Sequence, residues 1–493
     1  MELQFNQTEV SYLNPVVQEC RNLEQTQEVR LSDGMPDLDR ILGCWGQFVL
    51  RGKEWRTDTV SITGGVMLWV MYRPEDGGAP VVLDGWVPFG AKWELPRDTR
   101  EGKMLVQPVI RFLDARSVSP RKVLVRCGVG VNMTALAPED VVLSQPGEIP
   151  EDVQLRLRNM AVRLYAQAGE KSFALEEPLP GLGADRKILY CTAQTALTDQ
   201  KVVGDKIAFR GSISVHTLLR GPEGQVEGRE FAFPFSQLVE LDRAYGSEAE
   251  AELQICVTNL ETEEDSDGTK RVRGSFAAQY AVSDVTEVQM VEDGYSTQRD
   301  LTLHRQELPV HPILERRWET LSGEAALPEQ VNSAVDLAAA WEFPTRDREA
   351  GECVLEASGT VWLLSQGEQG PEGHGMGWSG QTAFKIGDNA VPTVTAMQPG
   401  APQLNPGAGK ITVENRVRLT LFSREGLTMV SSMELGEPTP KDPNRPSLLL
   451  CRAGDAGLWE LAKGSKSTME AIARANGLEG EPQKGQMLLI PVP

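Results

Sequence analysis

Histidine is nearly absent: His216, His304, His311 and His374 are all that 493 residues contain. No HExxH or zinc-finger spacing can be built from them. His311 and Glu315 stand four apart with no further ligand close in sequence. His216 falls on an alternating strand-like run, which points to packing or surface duty. Cysteine is also sparse. Cys20, Cys44, Cys127, Cys191, Cys256, Cys353 and Cys451 are odd in number, widely spaced and without a CxxC pair. That argues against a disulfide framework and for reduced thiols in a cytosolic protein. Long apolar runs are missing, so no segment reaches the roughly 18–20 residues of a spanning helix. The opening MELQFNQTEV has neither the basic nor the apolar region of a signal peptide. Basic charge is the last shortage. Lys and Arg number 49 against 70 Asp and Glu, a net charge of −21. Such a chain repels phosphate, so neither nucleic acid nor an anionic lipid surface is an expected partner.

Two short motifs imitate ligand sites and fail on detail. Pro406-Gly407-Ala408-Gly409-Lys410-Ile411 has Leu404 where a phosphate loop needs its first glycine, and Ile411 where it needs Ser or Thr. A turn feeding a strand is expected there. Glu263-Glu264-Asp265-Ser266-Asp267-Gly268 opens like a calcium loop, but position twelve is Gly274. A solvated hairpin tip is expected. No catalytic constellation, metal site or cofactor site emerges, and a non-enzymatic protein is the expectation.

What the chain does have is internal repetition. Residues 41–73 fall on residues 188–220 with a shift of 147 and no gap. Ile41 meets Ile188, Cys44 meets Cys191, Asp58 meets Asp205, Gly64 meets Gly211 and Arg73 meets Arg220. A weaker third copy, CVLEASGTVWL at 353–363, puts Gly359 at the glycine position. Downstream, Val87-Pro88-Phe89 corresponds to Phe233-Pro234-Phe235 and, more loosely, to Thr382-Ala383-Phe384. A further alternating run follows each, at 123–131, 272–276 and 411–417. Val60, Ile62, Val66, Leu68 and Val70 alternate with other residues, as do Ile207, Phe209, Ile213 and Val215. Period two is the strand signature. Gly64 and Gly211 within it mark a bulge or a close backbone approach. The Pro/Gly-rich segments 73–81 and 220–227 are turns. A short helix is expected at 36–42, PDLDRIL, with proline in its first turn and acids at its positive end.

The expected fold is mainly β: three repeated antiparallel modules, sandwich-like or barrel-like, at 1–143, 144–290 and a degenerate 291–437. Segment 144–151 links the first two. Residues 436–447, GEPTPKDPNRPS, are a semi-rigid spacer whose core is 438–447. The final residues 448–493 read differently. A strand at 448–451 precedes a helix capped by Asp455 and carrying Leu458, Trp459, Leu461 and Ala462. Ser467-Thr468-Met469-Glu470 forms a capping box for a second helix, which Asn476-Gly477 ends. A strand at 487–490 closes a small βααβ unit.

This tail resembles a LysM domain through Ala453-Gly454-Asp455, Leu458-Trp459-Glu460-Leu461-Ala462-Lys463, Ala475-Asn476-Gly477-Leu478 and Lys484-Gly485-Gln486-Met487-Leu488-Leu489-Ile490-Pro491. The resemblance implies a groove made by Gly454, Asp455, Ala456, Gly457 and Leu458 with Asn476, Gly477, Leu478, Glu479 and Gly480. In LysM domains that groove takes glycans containing N-acetylglucosamine. Here Ala456 replaces the usual threonine and Gly457 is an added residue, which removes a hydrogen-bonding hydroxyl. The repeats resemble the SPOCS domains of spore-coat proteins, through 36–42, the Gly64 and Gly211 strands, and the Pro-Phe steps. The whole layout is similar to SipL-like spore morphogenetic proteins. That family implies a scaffold in the mother-cell cytosol and at the forespore surface, within the spore coat. Its partner would be the coat-basement ATPase, with other coat proteins around it. The LysM domain would dock protein, with Leu458, Trp459 and 476–480 as the docking edge. The rival implication is an anchor to peptidoglycan glycan chains.

Overall fold

The computed structural model describes all residues except Met1, Gln4, Gln330, Ala350, Gln369, 441–445, Asp455, Ala456 and Pro493. It is mainly β, with two α-helices at the C-terminal end. A six-stranded antiparallel sheet runs in the order Glu250–Glu264, Lys270–Ser296, Val153–Pro178, Phe5–Arg30, Lys122–Pro146, Lys103–Ser119. Its two halves meet at a single bridge, Leu13 with Tyr165. Over one half packs a three-stranded sheet, Leu38–Trp55, Thr59–Pro74 and Val81–Glu94. Over the other packs the long strand Lys187–Arg220 with Val226–Tyr245. The long strand turns back near Gly204, where φ is 59°, and Thr198 Oγ1 donates to the Arg210 carbonyl.

A fourth sheet, of eight strands, runs Asp336–Trp341, Glu352–Gly367, Gly370–Lys385, Ile313–Ala326, Lys410–Ser423 and Ala390–Pro399 in that order, with Thr345–Glu349 and Gln403–Asn405 paired off that path. It curls until Leu355, Val361 and Leu363 share a core with Ile411, Val413, Val417 and Leu419. Residues 2–3, Leu427–Pro438 and Arg299–Leu308 make a small sheet that packs on the six-stranded sheet, with Leu308, Leu427 and Met429 against Tyr12, Val141 and Val288.

The period-two pattern places its apolar residues as expected. Val60, Ile62, Val66, Leu68 and Val70 all point into one core, against Val123, Val125, Cys127, Val129 and Val131. The glycines answer to close backbone approach. A Cβ on Gly64 would stand 2.5 Å from the Val49 carbonyl oxygen. On Gly211 it would stand 2.1 Å from that of Ala196, and on Gly359 2.1 Å from that of Ala340. Opposite these glycines, across the next strand, lie Phe89, Phe235 and Trp378. This corrects the expected correspondence of Phe384, which pairs with Cys353 instead.

The expected helix at 36–42 is not formed. Leu38–Trp55 is a strand, and Leu38 and Leu42 are buried in separate cores, which an extended backbone allows. The 144–151 linker starts later, because Ser144–Pro146 still pair with Phe5–Gln7. Likewise Gly436–Pro438 belong to a strand. Strands Lys122–Pro146 and Lys270–Ser296 run through the expected boundaries at 143/144 and 290/291. Turns do occupy 265–268 and 406–408, where the two imitation motifs stand. No disulfide forms among the described cysteines, five of which are buried.

Candidate functional site

The C-terminal elements are a strand Leu448–Arg452, helix α1 (Leu458–Ser465), helix α2 (Met469–Asn476) and a strand Met487–Pro491. The two strands pair antiparallel, Leu450 opposite Leu489. Asp455 and Ala456, expected cap and groove residues, lie outside the described residues. The N-cap of α1 is Gly457, which offers no side chain. Its first turn is served instead by Glu481, whose carboxylate accepts from the Leu458 N–H at 2.7 Å. An anion there also suits the positive end of the helix. The expected capping box is shifted by one residue. Thr468, not Ser467, is the N-cap of α2 and accepts from the Ala471 N–H at 3.0 Å. Ser467 is turned to the Pro491 carbonyl, which holds the helix pair to the sheet. Gly477 ends α2 at φ 63°, as expected for a glycine cap.

The groove's two loops do come together. Glu481, just past Gly480, reaches Leu458 and lies beside Gly457. Gly454, Gly477, Glu479 and Gly480 are exposed, while Asn476 and Leu478 are half-buried. Asn476 is a clasp. Its amide donates to the Leu489 carbonyl and accepts from the Leu489 N–H at 2.8 Å. That occupies one edge of the tail's sheet.

Leu458 and Trp459 do not lie on an exposed docking edge. They are buried with Tyr295 from strand Lys270–Ser296 of the β body. Trp459 meets Tyr295 edge-on, with ring centroids 5.1 Å apart. Its indole N–H donates to Asp293 Oδ2 at 2.9 Å, and Lys463 Nζ donates to the same carboxylate at 2.7 Å. Tyr295 donates to the Ser467 carbonyl at 2.7 Å. Burial pushes the Asp293 pKa up, but the Lys463 and Trp459 hydrogen bonds outweigh it and hold the carboxyl below its ordinary value. Asp293 and Tyr295 carry no sequence signal, since their role depends on a partner more than 160 positions away.

With α1 turned inward, the outer face of the tail's sheet is what the tail presents. Leu448, Leu450, Met487 and Leu489 alternate onto one face and are exposed, with Arg452 beside them. Leu488 and Ile490 point the other way and are buried.

Two buried polar clusters sit in the body. Asp336 has no exposed side-chain surface, and it accepts from the Tyr190 hydroxyl and contacts His216 Nε2. Burial works against a charged His216, yet the hydrogen bond and charge of Asp336 raise its pKa. Glu252 lies between Arg316 and Arg418 and also accepts from Thr420 Oγ1 at 2.7 Å. Burial would raise its pKa, but the two guanidinium groups hold it below the ordinary value. His311 bonds the Ser423 carbonyl at 3.0 Å. Among the described residues, no group of three or more His, Cys, Asp or Glu side chains could hold a metal ion. No helix of the described residues is long and apolar enough to cross a membrane. No family model, curated protein or solved structure matches the chain.

Proposed function

We propose that the chain is a non-enzymatic, SipL-like spore-coat scaffold: three β modules closed into a ring, carrying a LysM-like tail that docks a protein. Three equivalent contacts support the ring. In the sheets, Val106 pairs with Met133, Leu253 with Tyr280, and Val394 with Leu419. The residues preceding the second members are Asn132, Gln279 and Arg418. Gln279 donates to the Val106 carbonyl at 2.8 Å, Arg418 to Leu253 at 3.2 Å, and Asn132 to Val394 at 3.1 Å. The second module thus caps the first, the third caps the second, and the first closes the ring on the third. Strand order adds to this, since the first, sixth and fifth strands of each would-be module lie side by side.

The observation that carries the docking role is the apolar face of Leu448, Leu450, Met487 and Leu489. Methyl groups supply hydrophobic contact to a protein partner and no hydrogen bonds to a glycan. The partner implied by the family resemblance is the coat-basement ATPase, at the forespore surface. The rival reading, a peptidoglycan anchor, is favoured by one feature: the two groove loops meet and leave Gly477, Glu479 and Gly480 open. The full chain offered separately to the purified ATPase and to insoluble peptidoglycan distinguishes them. Capture of the ATPase without sedimentation on peptidoglycan is expected. Sedimentation alone overturns the scaffold and promotes the anchor.

A further inference from the structure

The tail's small sheet is closed along one edge and open along the other. The ladder's parity fixes which backbone groups point where. Ala453 donates to the Gln486 carbonyl at 2.8 Å, and Val492 donates to the Ser447 carbonyl at 2.9 Å. Residues 447, 449, 451 and 453 therefore turn their N–H and C=O groups toward strand Met487–Pro491, while Leu448, Leu450 and Arg452 turn theirs away from it. On the other strand the outward groups of Leu489 and Pro491 are already used. Asn476 takes both backbone groups of Leu489, Pro491 has no N–H, and the Pro491 carbonyl accepts from Ser467. Among the described residues, no strand pairs with the outer edge of Leu448–Arg452. We propose that this edge takes a third strand: an extended segment of the docked protein, with apolar residues beside Leu448 and Leu450 and an acidic residue beside Arg452. The assignment rests on the docking role proposed above and adds the mode of contact.

Four observations select that occupant. First, the edge is unguarded. Edge strands of the β body carry interior prolines, Pro88, Pro108, Pro234 and Pro392, which blunt them against pairing. The sequence LLLCR has none, and Leu448, Leu449, Leu450 and Arg452 are all exposed. Second, the apolar face is small. Four side chains fall short of the roughly 800 Å² per partner that a stable interface needs, so contact through methyl groups alone is insufficient. Backbone hydrogen bonds along a free edge supply the rest, and the alternating side chains supply the selectivity. Third, the row of outward residues has a polarity. Leu448 and Leu450 call for apolar cross-strand neighbours. Arg452 ends the row, exposed and without an ion-pair partner among the described residues, and calls for a carboxylate. Fourth, a second copy of this chain is a poor occupant. Each copy carries a net charge of −21, which opposes self-association, and antiparallel pairing centred on Leu450 would set Arg452 against a leucine.

The test uses the full chain, the purified coat-basement ATPase as probe, and amide hydrogen exchange read residue by residue by mass spectrometry. Strand addition has an alternating signature. In the complex, the amides of Leu448, Leu450 and Arg452 are expected to slow at least about tenfold, the equivalent of one backbone hydrogen bond each. Those of Leu449 and Cys451, already bonded to the inner strand, are expected to change less. Two variants at one position separate backbone from side chain. Leu448→Ala trims the side chain and is expected to weaken binding several-fold. Leu448→Pro also removes the outward N–H, at the first residue of a strand where proline leaves the inner ladder intact. It is expected to bind at least about tenfold more weakly than Leu448→Ala. Binding without the alternating protection, or with Leu448→Pro no weaker than Leu448→Ala, overturns the added strand and leaves the docking role standing. No complex at all overturns the docking role and the strand with it. Protection that appears in the chain alone as its concentration is raised assigns the edge to a second copy and overturns the proposal.

Discussion

At the scale of single residues, Glu252 has the most at stake. Its side chain is only 3% exposed and answers Arg316 and Arg418 together. Arg418 stands where the corresponding strands carry Asn132 and Gln279, so a charge has entered a position that elsewhere takes an amide. That charge requires Glu252. Removing one partner from a buried ion pair costs about 3–5 kcal/mol. Glu252→Gln is therefore expected to destabilise the fold by that order in denaturant unfolding. Its folded pKa is depressed, so the carboxylate's contribution is complete above the unfolded value of about 4.3 and fades as pH falls through the folded value. The gap between Glu252→Gln and the wild type should accordingly shrink at acid pH, and a constant gap contradicts the charge argument. Little of this was legible beforehand. Alternation exposes Val60 or Ile62 because neighbours in sequence carry the pattern. Glu252 and Asp336 are solvated-looking acids until distant strands bring Arg418 and Tyr190 to them.

Among the elements, α1 shows most clearly what sequence periodicity leaves undecided. Leu458, Trp459 and Ala462 at helical spacing mark an apolar face. They do not say whether that face meets its own small sheet, the β body or a partner. Tyr295 and Asp293 decide it for the body. Asp293→Ala removes the acceptor of both Trp459 and Lys463. Losing hydrogen bonds to a charged group costs about 1.5–3 kcal/mol, or roughly ten- to a hundredfold in the docked population. Amide hydrogen exchange in 458–465 should rise by that factor while the exchange of 122–146 holds steady. Unchanged exchange in α1 means the tail is held by other contacts. The capping shift from Ser467 to Thr468 is a smaller case. Both hydroxyls fit the motif, and only the demand of the Pro491 carbonyl assigns Ser467 elsewhere. Similarly, the repeat pattern pointed to Phe384, and strand register puts Trp378 opposite Gly359 instead.

Over the whole molecule, the cyclic contacts of Asn132, Gln279 and Arg418 make the β body one cooperative unit. Asn132→Ala, at the contact to the Val394 carbonyl, is expected to cost about 1–3 kcal/mol for a buried carbonyl left without its donor. It should lower the midpoint of a single unfolding transition. Two separated transitions in the wild type would contradict a closed ring. The tail is packed on this body through Asp293 and Tyr295 and presents its leucine face outward, and there the proposed scaffold function stands or falls. The most direct measurement is the dissociation constant of the full chain for the purified coat-basement ATPase, with Leu450→Asp and Gly480→Trp in parallel. A charge at the centre of a docking face costs at least about 2 kcal/mol, roughly thirtyfold in affinity. Loss on that scale for Leu450→Asp, with Gly480→Trp unchanged, is the predicted result. Binding that survives Leu450→Asp and is lost with Gly480→Trp would contradict docking through the leucine face.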